Sequence, residues 1–355
     1  MDRTGLYRDI RLHLKGSDLV VELSSKELSE NEVRLGFSFG GSYASSIASR
    51  AELPLSLRLG GLGPSGASLT LDASLLDTVE IGALYRFPII WGLSLDLSAR
   101  FTREFDTYFT EVLDSSVSYQ YLSEASHLDA SLSWNPFSAT ELSGGISSDW
   151  VLQSQYPGLP ASEEPGRVVA LNARLSMAYL DSPVFPMDGF TLDASYLQSL
   201  PEYSSDALFS VFENSGEARL SLGSPLSVGL LWRAGTDLSG RALGSNAAPA
   251  FFKPDLYDRR IFPGPLSLEE RRGSHVAALA FELTYQLNRA SRTFGLPAFL
   301  TMAVASGGVT QSLSDLKSFD DVNSVLHSNL ALGFGLRVSD AFGIHLRLGM
   351  VRRMD

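Results

Sequence analysis

Period-two alternation of apolar and polar residues constrains this chain more than any other feature. Leu93, Leu95, Leu97, Ala99 and Phe101 alternate with Ser94, Asp96, Ser98, Arg100 and Thr102. Leu69, Leu71, Ala73 and Leu75 alternate with Ser68, Thr70, Asp72 and Ser74. The pattern returns in Val169–Tyr179, in Phe281–Leu287 and in Ile344–Met350. Successive side chains on an extended strand point to opposite faces, so each run is a strand with one apolar face. Roughly fifteen such runs follow residue 30, many of about 9 to 13 residues, which suits a tilted strand crossing a bilayer. Strands of ordinary globular domains are shorter. Only residues 266–273 suggest helix, as one short turn.

Two opposite solutions satisfy this pattern. A soluble sandwich or solenoid turns the apolar faces inward, whereas a membrane barrel turns them outward to lipid. Three observations favour the barrel. The apolar faces are long, with aromatic residues near strand ends: Tyr85, Phe87, Phe101, Trp134, Trp150, Tyr179 and Trp232. The polar faces carry Ser, Thr, Asp, Asn and Arg, as a wet lumen requires, and Lys plus Arg total only 28. Connections are uneven: short turns at Asn135–Phe137, Gly223–Pro225 and Ser339–Ala341 contrast with long stretches at 153–166 and 236–273. Short turns at one mouth and long loops at the other are the habit of outer-membrane barrels.

Composition narrows the function classes. Charged residues make up 19% of the chain, below the usual quarter, and the mean hydropathy is +0.06. Formal net charge is -12. Basic residues come only as scattered pairs such as Arg259-Arg260, Arg271-Arg272 and Arg352-Arg353, so nucleic acid is not an expected partner. The absence of cysteine removes disulfides, thiolate nucleophiles and Cys-based metal sites. No run approaches the ~18 apolar residues of a spanning helix. The Met1–Thr4 start does not read as a signal peptide, which a secreted barrel needs, so the expectation is either a fragment that lost an N-terminal part or a misplaced start.

Residues 1–28 differ from the rest. Ile10–Leu14 and Leu19–Leu23 alternate around Lys15-Gly16-Ser17-Asp18, a hairpin turn signal. The domain reading is therefore a partial hairpin unit at 1–28 and a barrel at 29–355.

Several of these segments resemble the BamA/TamA bacterial surface antigen superfamily. The Thr4–Ile10 run and Val20–Glu27 resemble the last half of a periplasmic POTRA module. Val33–Phe39 resembles the first barrel strand after it. Asp181-Ser182-Pro183-Val184-Phe185-Pro186-Met187-Asp188-Gly189 resembles the D-x-P-x-x-P-x-x-G turn, with Asp181, Pro183, Pro186 and Gly189 at its fixed positions. Ser328–Val338 followed by Phe342–Met350 resembles the penultimate strand pair. The order of hairpin and first strand is most similar to the C-terminal POTRA-plus-barrel part of patatin-like phospholipases. The resemblance implies an all-β transmembrane barrel of about 15–16 strands in the outer membrane, with the last strand apparently missing. The seam between Val33–Gly40 and the final strand would then be weak. It also implies a lumen-inserted loop within 236–273 whose tip carries an R-G-[FY] motif. Here that tip reads Arg260-Ile261-Phe262-Pro263-Gly264, with Ile261 in place of glycine. Arg259, Arg260, Phe262 and Gly264 are the expected tip residues, and Arg260 is expected to pair with acidic groups on the inner wall, for example Glu282 or Asp193, because a buried charge needs a partner.

Catalytic chemistry finds no support in the residues. A patatin-type lipase needs a G-x-S-x-G elbow. Gly63-Pro64-Ser65-Gly66 has the wrong spacing, and Gly40-Gly41-Ser42-Tyr43-Ala44 lacks the final glycine. His13, His127, His275, His327 and His345 have no metal-ligand spacing and are expected at polar lumen or rim positions. Glu163-Glu164 and Glu269-Glu270 read as solvated loop pairs. The expectation is a non-enzymatic barrel without metal or cofactor, touching outer-membrane lipids and barrel assembly machinery, with a homodimer open. It would anchor or translocate an upstream patatin-like lipase domain. The alternatives are a BamA/TamA-type insertase or, more remotely, a soluble β-rich binding protein.

Overall fold

The structure is a computed structural model. It describes residues 7–15, 18–25, 32–35, 38–43, 47–62, 66–76, 78–90, 92–112, 115–137, 139–156, 166–182, 185–204, 208–223, 225–239, 252–256, 258, 260–262, 272–287, 297–310, 325–337 and 343–354. Strands β1 (Tyr7–Lys15) and β2 (Asp18–Ser25) form a separate two-stranded hairpin. The large sheet comprises β3 (Glu32–Leu35), β4 (Ser38–Tyr43), β5 (Ile47–Gly60), β6 (Ser68–Leu76), β7 (Thr78–Ile90), β8 (Leu93–Val112), β9 (Ser115–Phe137) and β10 (Thr140–Tyr156). It continues with β11 (Arg167–Ala178), β12 (Gly189–Ser199), β13 (Ser210–Ser221), β14 (Leu226–Asp237), β15 (His275–Gln286), β16 (Ala298–Thr310), β17 (Val325–Arg337) and β18 (Gly343–Met354).

Each strand pairs antiparallel with its sequence neighbour from β5 to β18. This up-and-down meander is the barrel-forming solution for alternating strands. β3 and β4 lie end to end on β5 in one register, Leu35 opposite Leu55 and Ser38 opposite Glu52. They act as one interrupted stave, so the sixteen segments of the sheet make fifteen staves. The sheet curls until β18 comes alongside β4. Among the described residues no ladder joins these two edges. The steps from β4 to β18 are all antiparallel and even in number, so the two edge strands run in the same direction.

Which face meets lipid is read from exposure. On β15, Leu279, Phe281, Leu283 and Tyr285 are exposed, while Val276, Ala278, Ala280, Glu282 and Thr284 are buried. Leu300, Met302 and Val304 on β16 and Leu330 and Leu332 on β17 continue the exposed apolar belt. A sandwich would hide these faces, so the soluble alternative fails on them. Exposed aromatic side chains rim the belt: Trp134, Phe137, Tyr179, Phe190 and Tyr285 at the end where the chain enters β3, here the near mouth, and Phe101, Trp150, Tyr196 and Phe212 toward the far mouth. Rings at both borders of an apolar band are the girdles of a membrane barrel.

One turn differs from its sequence reading. Asn135–Phe137 belong to β9, and the reversal to β10 follows them. β9 keeps its ladder with β10 through Phe137, because Phe137 still finds a partner in Thr140.

Candidate functional site

The long connection between β14 and β15 starts at the far mouth, yet Leu256, Ile261 and Phe262 lie inside the barrel. A single row of the ladder shows where. Thr191, Glu217, Leu231, Ala280, Ala305 and Asn329 are consecutive partners across β12 to β17. Glu217, Leu231, Ala280, Ala305 and Asn329 are all buried. Ile261 and Phe262 pack against this row with no exposed surface, in a cluster with Leu231, Leu256, Val276, Ala278, Ala280, Ala305 and Val309. Half of the wall residues in the cluster are alanine, and their small side chains leave the room that two large loop side chains fill. The Asn329 amide donates to the Ile261 carbonyl at 2.7 Å, satisfying a backbone acceptor that burial would otherwise leave costly.

Charge fixes the tip from the opposite side. The Arg260 guanidinium donates to Asp258 at 3.0 Å and to Glu217 at 3.2 Å. Glu217 lies 3.6 Å from Arg219, which in turn donates to Glu282 at 2.7 Å and to Thr284 at 3.2 Å. Asp258, Arg260, Glu217, Arg219 and Glu282 thus form an alternating ladder that descends toward the near mouth. Arg219 and Glu282 are 7% and 5% exposed, so each needs the other. Burial pushes the Asp258 carboxyl up, but the hydrogen bonds and charge of Arg260 outweigh it and hold the group below its ordinary value. A second clamp grips the loop nearer the far mouth. Asp255 receives Arg272 at 3.3 Å, its amide donates to Glu213 at 3.0 Å, and Arg233 donates to its carbonyl.

The expected partners of Arg260 need correction. Glu282 holds Arg219, and Asp193 holds Arg174. Glu282 reaches Arg260 only through its longer-range field. Glu217 stands one pair of residues nearer the far mouth than Arg219 on the same inward face of β13, and therefore meets the descending loop first. Arg259, Gly264 and the expected helical turn up to residue 271 lie outside the described residues, as does Pro183. His327 is also corrected: it is 2% exposed beneath the loop, edge-on to Phe262. A uniformly polar lumen is not what forms. Under the loop the inner wall of β14–β16 carries Leu231, Val276, Ala278, Ala280, Ala305 and Val309, and toward the far mouth Val168, Ala170, Leu197 and Val211 of β11–β13 are apolar as well, whereas the rest of the β7–β12 inner wall is polar. There Arg86 pairs with Asp96 at 2.7 Å and Glu141 at 3.1 Å, His127 with Asp149 at 2.7 Å, and Arg174 with Asp193. No cluster among the described residues has a metal-binding arrangement.

The Asp181–Gly189 turn at the near mouth is a second built element. Asp181 accepts from the amides of Met187 and Asp188 at 2.9 and 3.2 Å, an Asx-type closure. Gly189 has φ +106, and a Cβ there would lie 2.0 Å from the Tyr179 carbonyl oxygen. Pro186 is half-buried.

No protein-family model matches the sequence, and no curated protein matches it. Solved structures do. BamA from Haemophilus ducreyi lacking POTRA domains 1–3 superimposes with a TM-score of 0.62 at 12% identity, covering 98% of this chain and 76% of that one. The fold is that of the BamA and CdiB barrels. CdiB from Escherichia coli gives 0.61 at 10% identity, with 99% and 69% covered. CdiB from Acinetobacter baumannii gives 0.59 at 14%, with 98% and 66% covered.

Sequence reasoning missed Glu217, Arg219 and Asp258. The signal was present: Glu213, Glu217 and Arg219 fall on one face of β13 at even spacing, and three charges on one short inward face announce a network.

Proposed function

We propose that this chain is an outer-membrane barrel of the insertase or translocator class, handling polypeptide rather than turning over a small substrate. The observation that carries the reading is the seam. β4 and β18 lie side by side, run in the same direction and share no ladder among the described residues. Unpaired strand edges in lipid are costly. A strand running opposite to both edges would bond to each of them by β-augmentation. The lumen-docked loop and the likeness to BamA and CdiB barrels support the same class. Outer-membrane lipids face the belt, barrel assembly machinery is the expected partner during insertion, and the chain itself carries no catalysis or cofactor.

The test begins with the chain expressed behind a signal peptide. Recovery in the outer membrane with heat-modifiable gel migration is expected. The purified barrel in vesicles should then speed insertion of an unfolded client barrel over empty vesicles. Equal insertion rates would remove the insertase reading. A second reading, an anchor for an upstream patatin-like lipase with residues 1–28 as part of a POTRA module, is favoured by the firm docking of Arg260, Ile261 and Phe262 on the inner wall. Esterase activity of the product extended upstream would support it.

A further inference from the structure

The turn between β11 and β12 does more than reverse the chain. Phe185, held at φ +52, lays its ring on Phe299 of β16 with centroids 4.7 Å apart and planes 8° from parallel. A bulky side chain in the left-handed region is an outlier, and such outliers persist only where the surroundings over-determine them. The surroundings here do. Arg337 of β17 donates to the Phe185 carbonyl at 2.9 Å and stacks its guanidinium 5.1 Å from the Phe299 ring. Ser227 of β14 donates to the Met187 carbonyl at 2.7 Å. Gly335 supplies the socket: a Cβ there would sit 2.0 Å from the Phe185 ring.

All these partners stand at the near-mouth ends of their strands. β12 and β17 are five ladder steps apart, about 24 Å of wall at the usual ~4.8 Å spacing. The turn is therefore a chord drawn across the mouth. It lies on the side of the barrel where the far-mouth loop is docked, with the Arg219–Glu282 pair between them.

We infer that the Phe185–Gly189 arm is a latch over the near mouth, closed by seating Phe185 between Phe299, Gly335 and Arg337, and that the lumen opens to that side when Phe185 leaves its socket. The inference rests on the membrane-barrel reading and adds a regulatory element to it. Nothing else in the function needs a strained phenylalanine tied to strands five steps away.

The native chain has no cysteine, so one reporter thiol suffices. Thr301→Cys places it two residues from Phe299 on the same inward face, at a position 6% exposed. Its reaction rate with a charged methanethiosulfonate is measured in the full chain reconstituted in vesicles. Adding Phe185→Ala, or separately Gly335→Val, is expected to raise that rate about tenfold, the equivalent of losing one aromatic pair. Phe190→Ala, on the lipid face of the same hairpin, is expected to leave it unchanged. Phe185→Leu keeps the bulk and lowers the stack, and should fall between. An unchanged rate in whichever of the Phe185 and Gly335 variants folds overturns the latch. Loss of heat-modifiable migration in the parent chain overturns the barrel reading itself, so the two failures are distinguishable.

Discussion

Phe262→Ala is the sharpest test of how the lumen loop is held. The Phe262 side chain has no exposed surface and is buried in a cluster that includes Ala278, Ala280 and Ala305. A fully buried phenylalanine removes about 200 Å² from water, worth roughly 5 kcal/mol at ~25 cal/mol per Å² as an upper bound. Measured Phe-to-Ala losses in cores run from about 3 to 5 kcal/mol, rising with the cavity that remains. Collapse is limited here, because the floor is a hydrogen-bonded barrel wall and its alanines have no rotamers to move. Taking ~3 kcal/mol as the loss, the docked-to-free ratio of the tip falls about a hundredfold. The assay is trypsin cleavage after Arg260 in intact outer membranes, with limiting protease. In that regime cleavage tracks the population of the open form. The rate constant in Phe262→Ala should exceed that of the parent by about two decades, with heat-modifiable migration retained. A change below about fivefold, equivalent to ~1 kcal/mol, would show that the apolar cluster does not hold the loop.

Four further outcomes follow from the same structure. Glu282→Ala leaves the 7%-exposed Arg219 without its 2.7 Å partner and should cost about 3 kcal/mol of barrel stability, toward the low end for a broken buried pair because Glu217 stays nearby; urea unfolding in vesicles reads it. Phe281→Arg, on the lipid face of β15, should cost about 2–4 kcal/mol at mid-bilayer depth in the same measurement, whereas Gln286→Arg at the strand end should be near neutral. Gly189→Ala meets the Tyr179 carbonyl oxygen at 2.0 Å with φ +106, and should cost more than the ~1 kcal/mol of an ordinary glycine substitution in unfolding experiments. The Asp258 carboxyl is depressed by Arg260, so its contribution to loop docking is complete above its ordinary value near 3.8 and is lost as pH falls through the lower folded value. Protection of the loop from pepsin should therefore weaken below that pH in the parent, and Asp258→Asn should flatten this component.

Much of the barrel was legible because alternation is a local property. The strand at Phe281–Leu287 could be read without knowing its neighbours, and so could its lipid face. The Asp181–Gly189 turn was legible for the same reason: Asp181 closes on amides six and seven residues away. The position of Arg260 near the loop tip was legible, but not its partner, since every acidic residue at an inward position was a candidate and only the register places Glu217 in the row that the tip reaches.

The sequence by itself therefore determined the strands, their two faces and the up-and-down order, since each depends on residues adjacent in the chain or joined by one turn. Tertiary structure alone decided which stretch of inner wall the loop covers, which carboxylate meets Arg260 and where Phe185 goes. Asn329 reaches Ile261 across 68 residues, and Arg337 reaches Phe185 across 152. Contacts of that separation arise only when curling of the sheet brings distant staves onto one inner wall, and no pattern within a single strand encodes how far that curl will run.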